Sequence, residues 1–204
     1  MRYDLTRLLN DWPYEPGQLA VRVVQGDDGR SKIQLRLDLG ILQMESEGRP
    51  DGQRPEGFES LLEYYEALLD DHVASGNAPD DFTLDADACR RLREEGVQYY
   101  HRYVACFVLE DYDAVLRDTS RNLRVLEFCS AHAVEDDDRE ALEQFRPYVT
   151  MMRSRALASQ CLRDGEGKAA LIAIDDGLAA IRPQYEAAGR PEGAVPHATA
   201  LAEG

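Results

Sequence analysis

Arg117, Arg121 and Arg124 stand four and three residues apart, so on a helix their guanidinium groups share one face. Asn122 sits among them. A guanidinium fork meets a carboxylate or phosphate through two parallel hydrogen bonds. In a chain of net charge -16, three like charges in line call for an answer. An anionic peptide, a carboxylate or a phosphate would supply it. So would internal pairing, with Asp113 four residues before Arg117 and with Glu110, Asp118 and Glu127 close by. Arg146, Arg153 and Arg155 follow on the next helical stretch, and Arg153 is counted with the row.

A second group is aromatic: Tyr64 and Tyr65, then Tyr99, Tyr100 and Tyr103. Tyrosine suits a binding surface because it offers area with a polar tip. The alternative is a core between helices with hydroxyls at its rim. Adjacent positions on a helix point about 100° apart, so each neighbouring pair cannot lie wholly in one core. Tyr100 and Tyr103 are assigned, with the arginines, to a partner-binding face. Other chemistry finds little support. Cys129-x-x-His132 is half of a zinc ligand set without its second half, and His72 and His101 are isolated. A phosphate loop and a Gly-x-Gly-x-x-Gly turn are both missing from the sequence. No catalytic residue, metal or cofactor is expected. The loop Asp51–Gly57 carries polar groups enough to line a site, though such a loop also serves as a plain connector.

The elements that must hold these residues are mostly helical. Tyr99–Phe128 and Ser154–Pro183 each read as helix, tight turn, helix, with turns at Glu110–Asp111–Tyr112 and Asp164–Gly165–Glu166. Val115 and Leu116 follow the first turn as Ala170 and Leu171 follow the second. Apolar stripes at helical spacing run through Phe58, Leu61, Leu62, Tyr65, Leu68 and Leu69, and through Leu92, Tyr99, Tyr103 and Phe107. Others run through Val115, Leu123 and Leu126, and through Phe145, Val149, Met152 and Ala156. The last comprises Ala170, Ile174, Leu178, Ile181 and Tyr185. Pro147 belongs in the first turn of its helix or kinks it.

Ahead of the helices, Leu19–Val24 and Ser31–Met44 read as two strands around Gln25–Arg30, which has hairpin chemistry. Ile33, Leu35, Leu37 and Leu39 alternate with Gln34, Arg36 and Asp38, which predicts one buried and one wet face. The phase fails at Gly40, where a bulge, or burial of both faces beyond it, is expected. Two strands bury too little alone, so the hairpin must pack on helices, pair with a third strand or pair with another chain; packing under the helix starting near Phe58, which follows most closely, is expected. Trp12, between Asp11 and Pro13, is expected to fold back on the body. Residues 1–57 thus form a hairpin-bearing lead segment, 58–187 a helical-hairpin domain, and 188–204 an aperiodic tail rich in Ala, Gly and Pro. The fold class is α+β, predominantly α.

The helical hairpins resemble tetratricopeptide repeats through Ala105, Asp111, Tyr112 and Leu116, and through Ala158, Gly165, Ala170, Leu171 and Leu178. Val115 and Ala170 are 55 residues apart, against a period of about 34 in that family. A second resemblance rests on Asp11-Trp12-Pro13-Tyr14, Gly26–Arg30, Ile33–Gly40, Gln43-Met44-Glu45, Gly48–Gly52, Arg117-Asp118-Thr119, Arg121–Arg124 and Leu142–Tyr148. These look like a group of uncharacterised bacterial proteins. Many of its members end in a UvrB/UvrC-type helical interaction motif, of which this chain has no good copy. The resemblance implies a bacterial intracellular protein engaged in interaction.

The expected function is a non-enzymatic module offering a helical groove to a protein or peptide. The alternative is a small-ligand binder or enzyme with a pocket between hairpin and helices, and a homodimer through strand pairing is a third option. The acidic surface argues against nucleic acid. Met1–Leu9 carries Arg2, Asp4 and Arg7 and lacks the apolar core of a signal peptide, and no run has membrane-spanning length. A cytoplasmic location without membrane association follows, in keeping with four scattered cysteines.

Overall fold

The computed structural model describes residues 4–187, so the tail 188–204 lies outside the described residues. Short α1 (Thr6–Asp11) leads into a meander of β1 (Val21–Gln25), β2 (Ser31–Arg36) and β3 (Ile41–Glu45), antiparallel in the order β1-β2-β3. Then come α2 (Leu61–Ala74), α3 (Ala86–Val108), α4 (Tyr112–His132), α5 (Asp136–Glu143), α6 (Arg146–Arg163) and α7 (Gly167–Ala187). The chain is α+β and predominantly α.

The sheet departs from the expected hairpin. Ser31–Met44 is two strands, not one. Leu37 N–H donates to the Gly40 carbonyl at 2.9 Å and closes a tight turn there. The lost alternation at Gly40 was therefore a reversal of the chain rather than a bulge. Ile33 pairs with Met44 and Leu35 with Leu42, so apolar side chains from both strands meet on one face. Leu37 is 37% exposed and Leu39, at the tip of the turn, 88%. Neither packs under a helix.

The opposite face is not wet. Gln34 and Arg36 are buried, because the lead segment lies over them. Arg36 donates through Nε to the Trp12 carbonyl at 2.7 Å and through Nη1 to that of Gly40 at 3.0 Å. Arg22 stacks 4.0 Å from the Trp12 ring and donates to Gln34. Trp12 does fold back, and it seals a polar layer.

The apolar face of the sheet does not meet the helix after Phe58. Ile33, Leu35 and Met44 join Tyr103, Cys106, Val115, Met152 and Ala156 in one cluster on α3, α4 and α6. The helix α2 instead turns Leu61, Leu62 and Tyr65 towards Leu84, Cys89, Leu92, Val125 and Phe128. It is capped by Ser60, whose hydroxyl accepts from the Glu63 N–H.

Both helical hairpins form. α3 and α6 each end in a left-handed residue, Glu110 (φ 59°) and Gly165 (φ 81°), which lie 55 positions apart. The bonding is the same at both. Glu110 N–H reaches the Phe107 carbonyl and Asp111 N–H that of Cys106, as Gly165 reaches Leu162 and Glu166 reaches Cys161. Asp111 then caps α4 through the Ala114 N–H. Pro147 sits in the first turn of α6. The last stripe fails. α7 turns Ala170, Ala173 and Gly177 towards α6 and leaves Ile174 and Leu178 exposed; the Tyr185 side chain lies outside the described residues.

Candidate functional site

Along α3 and α4 the two apolar clusters are separated by a buried polar waist. Glu95, Tyr99 and Arg102 supply it from α3, and Asp118, Arg121 and Asn122 from α4. Fully buried Glu95 takes the Leu61 N–H at 2.9 and 3.1 Å on its two oxygens, and so caps α2 from a distance. Arg49 Nε lies 2.9 Å from Glu95, and Arg121 binds the same carboxylate. Arg102 makes a bidentate pair with Asp118, at 2.7 and 2.8 Å. Its Nη1 donates to the Gly48 and Glu45 carbonyls at 2.7 and 3.1 Å. Tyr99 lies between two cations, 3.8 Å from the Arg121 guanidinium and 4.9 Å from that of Arg102. The waist therefore locks the segment after β3 and the start of α2 onto the α3–α4 hairpin.

This accounts for most of the arginine row. Arg117 donates to Asp118 at 2.9 Å and to the Ser46 carbonyl at 3.2 Å. Arg121 is buried against Glu95, and Arg124 pairs with Glu66. Arg153 reaches across from α6 to Ser120 at 3.1 Å. Of the internal partners expected, only Asp118 serves the row. The others come from α2 and α3. Burial pushes the Arg121 guanidinium down to about 9, so it stays charged at neutral pH beside Glu95. A depression of about 200 Å³ lies over the waist, lined by Gly48, Ser60, Tyr99, Arg117, Arg121 and Arg124, with Glu59 and Glu63 beside them. Its charges largely cancel.

On the other side of α4 a larger cleft, of about 440 Å³, opens between α3, α4, α5 and the start of α6. Tyr100, Tyr103, Tyr148, Phe145, Val125 and Leu126 give it an apolar lining. Tyr100 meets Tyr103 edge-on at 5.5 Å and Tyr148 at 5.9 Å. Burial pushes the Tyr100 hydroxyl up to about 12 and that of Tyr103 higher still, so both remain neutral donors at neutral pH. At the rim, Arg93 pairs with Asp138 at 2.8 Å, and Arg90 is held between Asp87 and Glu94. The Asn122 amide donates to the Gly96 carbonyl at 3.0 Å and borders the cleft from within the helix pair.

The residues assigned from sequence thus divide. Tyr100, Tyr103 and Asn122 border the cleft; Arg117, Arg121 and Arg124 border the waist, with Arg153 near them through Ser120. Sequence reasoning missed Glu95 and Arg102, and it took Asp118 as a partner of the row without its pair to Arg102. A trace of them was there: Leu92, Glu95, Tyr99, Arg102 and Cys106 follow one helical stripe, with two opposite charges set inside it. Tyr148 and Phe145 were read as stripe residues only. The Asp51–Gly57 loop is a connector, with Asp51 bonded to Gln98 at 3.2 Å.

The cleft offers hydroxyls, one amide and aromatic faces, and neither Cys nor His lines it. Among the described residues, no three His, Cys, Asp or Glu side chains converge as a metal site. No helix among them is long and apolar enough to cross a membrane. Comparison with protein-family models, with curated proteins and with solved structures finds no match to this chain.

Proposed function

We propose that this chain is a non-enzymatic, cytoplasmic interaction module, and that its receiving surface is the tyrosine cleft rather than the arginine row. The observation that carries this reading is an apolar concavity of about 440 Å³ whose floor is Tyr100, Tyr103 and Tyr148. Such a floor seats an apolar side chain of a protein or peptide and fixes it by hydrogen bonds to the hydroxyls. The row is a poor receiver because its charges already have partners within the fold. The four cysteines carry free thiols, which supports a reducing compartment. Net charge -16 argues against a phosphate-backbone partner.

A photo-crosslinking residue at Val97, which lines the cleft, tests this in the host cell. Adducts to a defined protein are expected there, and their loss with Tyr100→Ala. Adducts no different from those at a control site on α2 would refute the reading. A small apolar ligand is the second reading, because the cleft has the volume usual for such sites, roughly 300–1,000 Å³. Native mass spectrometry of protein isolated from its host separates the two: a retained small mass, absent from Tyr100→Ala, selects the ligand.

A further inference from the structure

Gly96 and Gly177 both lie inside long helices, and packing explains only the second. In α7, a Cβ built on Gly177 would fall 2.6 Å from the Ser154 Cβ, so the approach of α6 requires a glycine there. Gly96, in the middle of α3, has no such reason. A Cβ at that position would meet only the Asn122 Oδ1, at 3.9 Å, an ordinary contact. Its φ lies outside the left-handed region. Glycine in a helix interior is destabilising relative to alanine. Alanine would fit at 96 and would hold the helix better. What sets Gly96 apart is its place: it borders the tyrosine cleft. Arg93, Val97, Tyr100 and Tyr103 line the same cleft at helical spacing, so position 96 lies in the middle of the α3 wall. The missing side chain leaves a notch in that wall, with Arg93 one turn back and Tyr100 one turn on.

We propose that Gly96 sets the size of what the cleft admits, and that the group admitted is an uncharged aromatic side chain of the partner. The inference rests on the cleft being the receiving surface. Charge at the rim is already matched, with Arg93 on Asp138 at 2.8 Å and Arg90 held between Asp87 and Glu94. A charged group entering the cleft would lose its water and find no unpaired charge in return. The rings decide between aliphatic and aromatic. Tyr100 stands at 90° to Tyr103 and at 55° to Tyr148, with centroids 5.5 and 5.9 Å apart. Such a set extends to a further ring at about 4.5–7 Å, and aromatic pairs gain beyond the area they bury. Phe145 offers another ring from the edge of α6. A saturated group of the same size gains burial alone.

The test uses p-cresol, which is the tyrosine side chain as a free molecule, and 4-methylcyclohexanol, its saturated counterpart. Each is titrated into the full chain labelled with nitrogen-15, and amide shifts are followed. Wild type should bind p-cresol with a dissociation constant on the order of 1 mM, with shifts centred on Val97 and Asn122. It should bind 4-methylcyclohexanol at least threefold more weakly. Gly96→Leu should abolish p-cresol binding. Gly96→Ala should weaken it at least threefold while raising the thermal midpoint by about 2–4 °C. Binding that survives Gly96→Leu in a folded chain overturns the role of Gly96; should that variant not fold, an unchanged affinity in Gly96→Ala does the same. A midpoint lowered by Gly96→Ala also overturns it, because glycine would then be a packing requirement. Equal affinity for the two probes, or no p-cresol binding by wild type, overturns the aromatic assignment. None of these readouts needs the partner, so they are separate from the adducts at Val97 that decide whether the cleft is the receiving surface.

Discussion

At the scale of single residues, the row Arg117, Arg121 and Arg124 contains three different objects. Arg121 is buried against Glu95, Arg117 is half a partner of a buried pair, and Arg124 holds an exposed carboxylate. Reversing Arg121 to Glu sets a second carboxylate against the fully buried Glu95. A cost of about 3–5 kcal/mol is expected in urea denaturation, because breaking a buried pair leaves a charge uncompensated. Arg124→Ala should cost no more than about 1 kcal/mol, as exposed ion pairs do. Equal midpoints for the two variants would mean that Glu95 finds compensation elsewhere. The sheet makes a similar contrast. Leu35 is buried and Leu37 is part of an exposed turn. Leu35→Asp should cost roughly 3 kcal/mol or more, and Leu37→Asp little. Arg36→Ala should be felt too, since it frees the Trp12 and Gly40 carbonyls that Arg36 bonds.

At the scale of elements, the two hairpin turns are a natural comparison. They make the same bonds, yet one uses Gly165 at its left-handed position and the other Glu110. A side chain there crowds its own carbonyl, at a cost of roughly 1 kcal/mol. Glu110→Gly should therefore raise stability by about 0.5–1 kcal/mol, and Gly165→Ala should lower it by a similar amount or more. A drop for Glu110→Gly in thermal denaturation would show that the Glu110 side chain contributes more than its strain costs. The junction of α6 and α7 gives a stricter test. Gly177→Ala gains about 1 kcal/mol of helix propensity. It also meets the Ser154 Cβ, which cannot rotate away. Net destabilisation of about 1–2 kcal/mol is expected.

At the scale of the whole molecule, burial has collected groups that must remain uncharged. It pushes the thiols of Cys106 and Cys129, and the hydroxyls of Tyr99 and Tyr100, up to about 12. In the unfolded chain they lose their protons nearer 9 for Cys and 10 for Tyr. The native state thus holds more protons than the unfolded one in that interval, and stability falls as pH rises through it. The stabilisation is complete below about pH 9 and is progressively lost towards about pH 12. The urea midpoint should be lower at about pH 10.5 than at about pH 8. An unchanged midpoint would mean that these groups titrate as they do in water.

The sequence by itself determined what depends on neighbours along the chain. The long helices, their turn residues and the place where alternation fails at Gly40 all follow from spacing of three, four or two residues, because local backbone geometry sets those periods. Even the 55-residue offset of the two hairpins was legible, from Val115 and Ala170. Only the tertiary structure decided which face met what. Nothing local tells Gln34 and Arg36 that a tryptophan nine or more residues upstream of the sheet will cover them. Nothing local tells Arg121 that Glu95 and the start of α2 will converge on it. Tyr100 and Tyr148 lie 48 positions apart and share one cleft because α6 crosses back over α4. α7 carries the clearest case. Its helix formed as the spacing predicted, but the stripe did not hold as one face, because α6 approaches closely at Ser154 and takes Ala170, Ala173 and Gly177, leaving Ile174 and Leu178 outward.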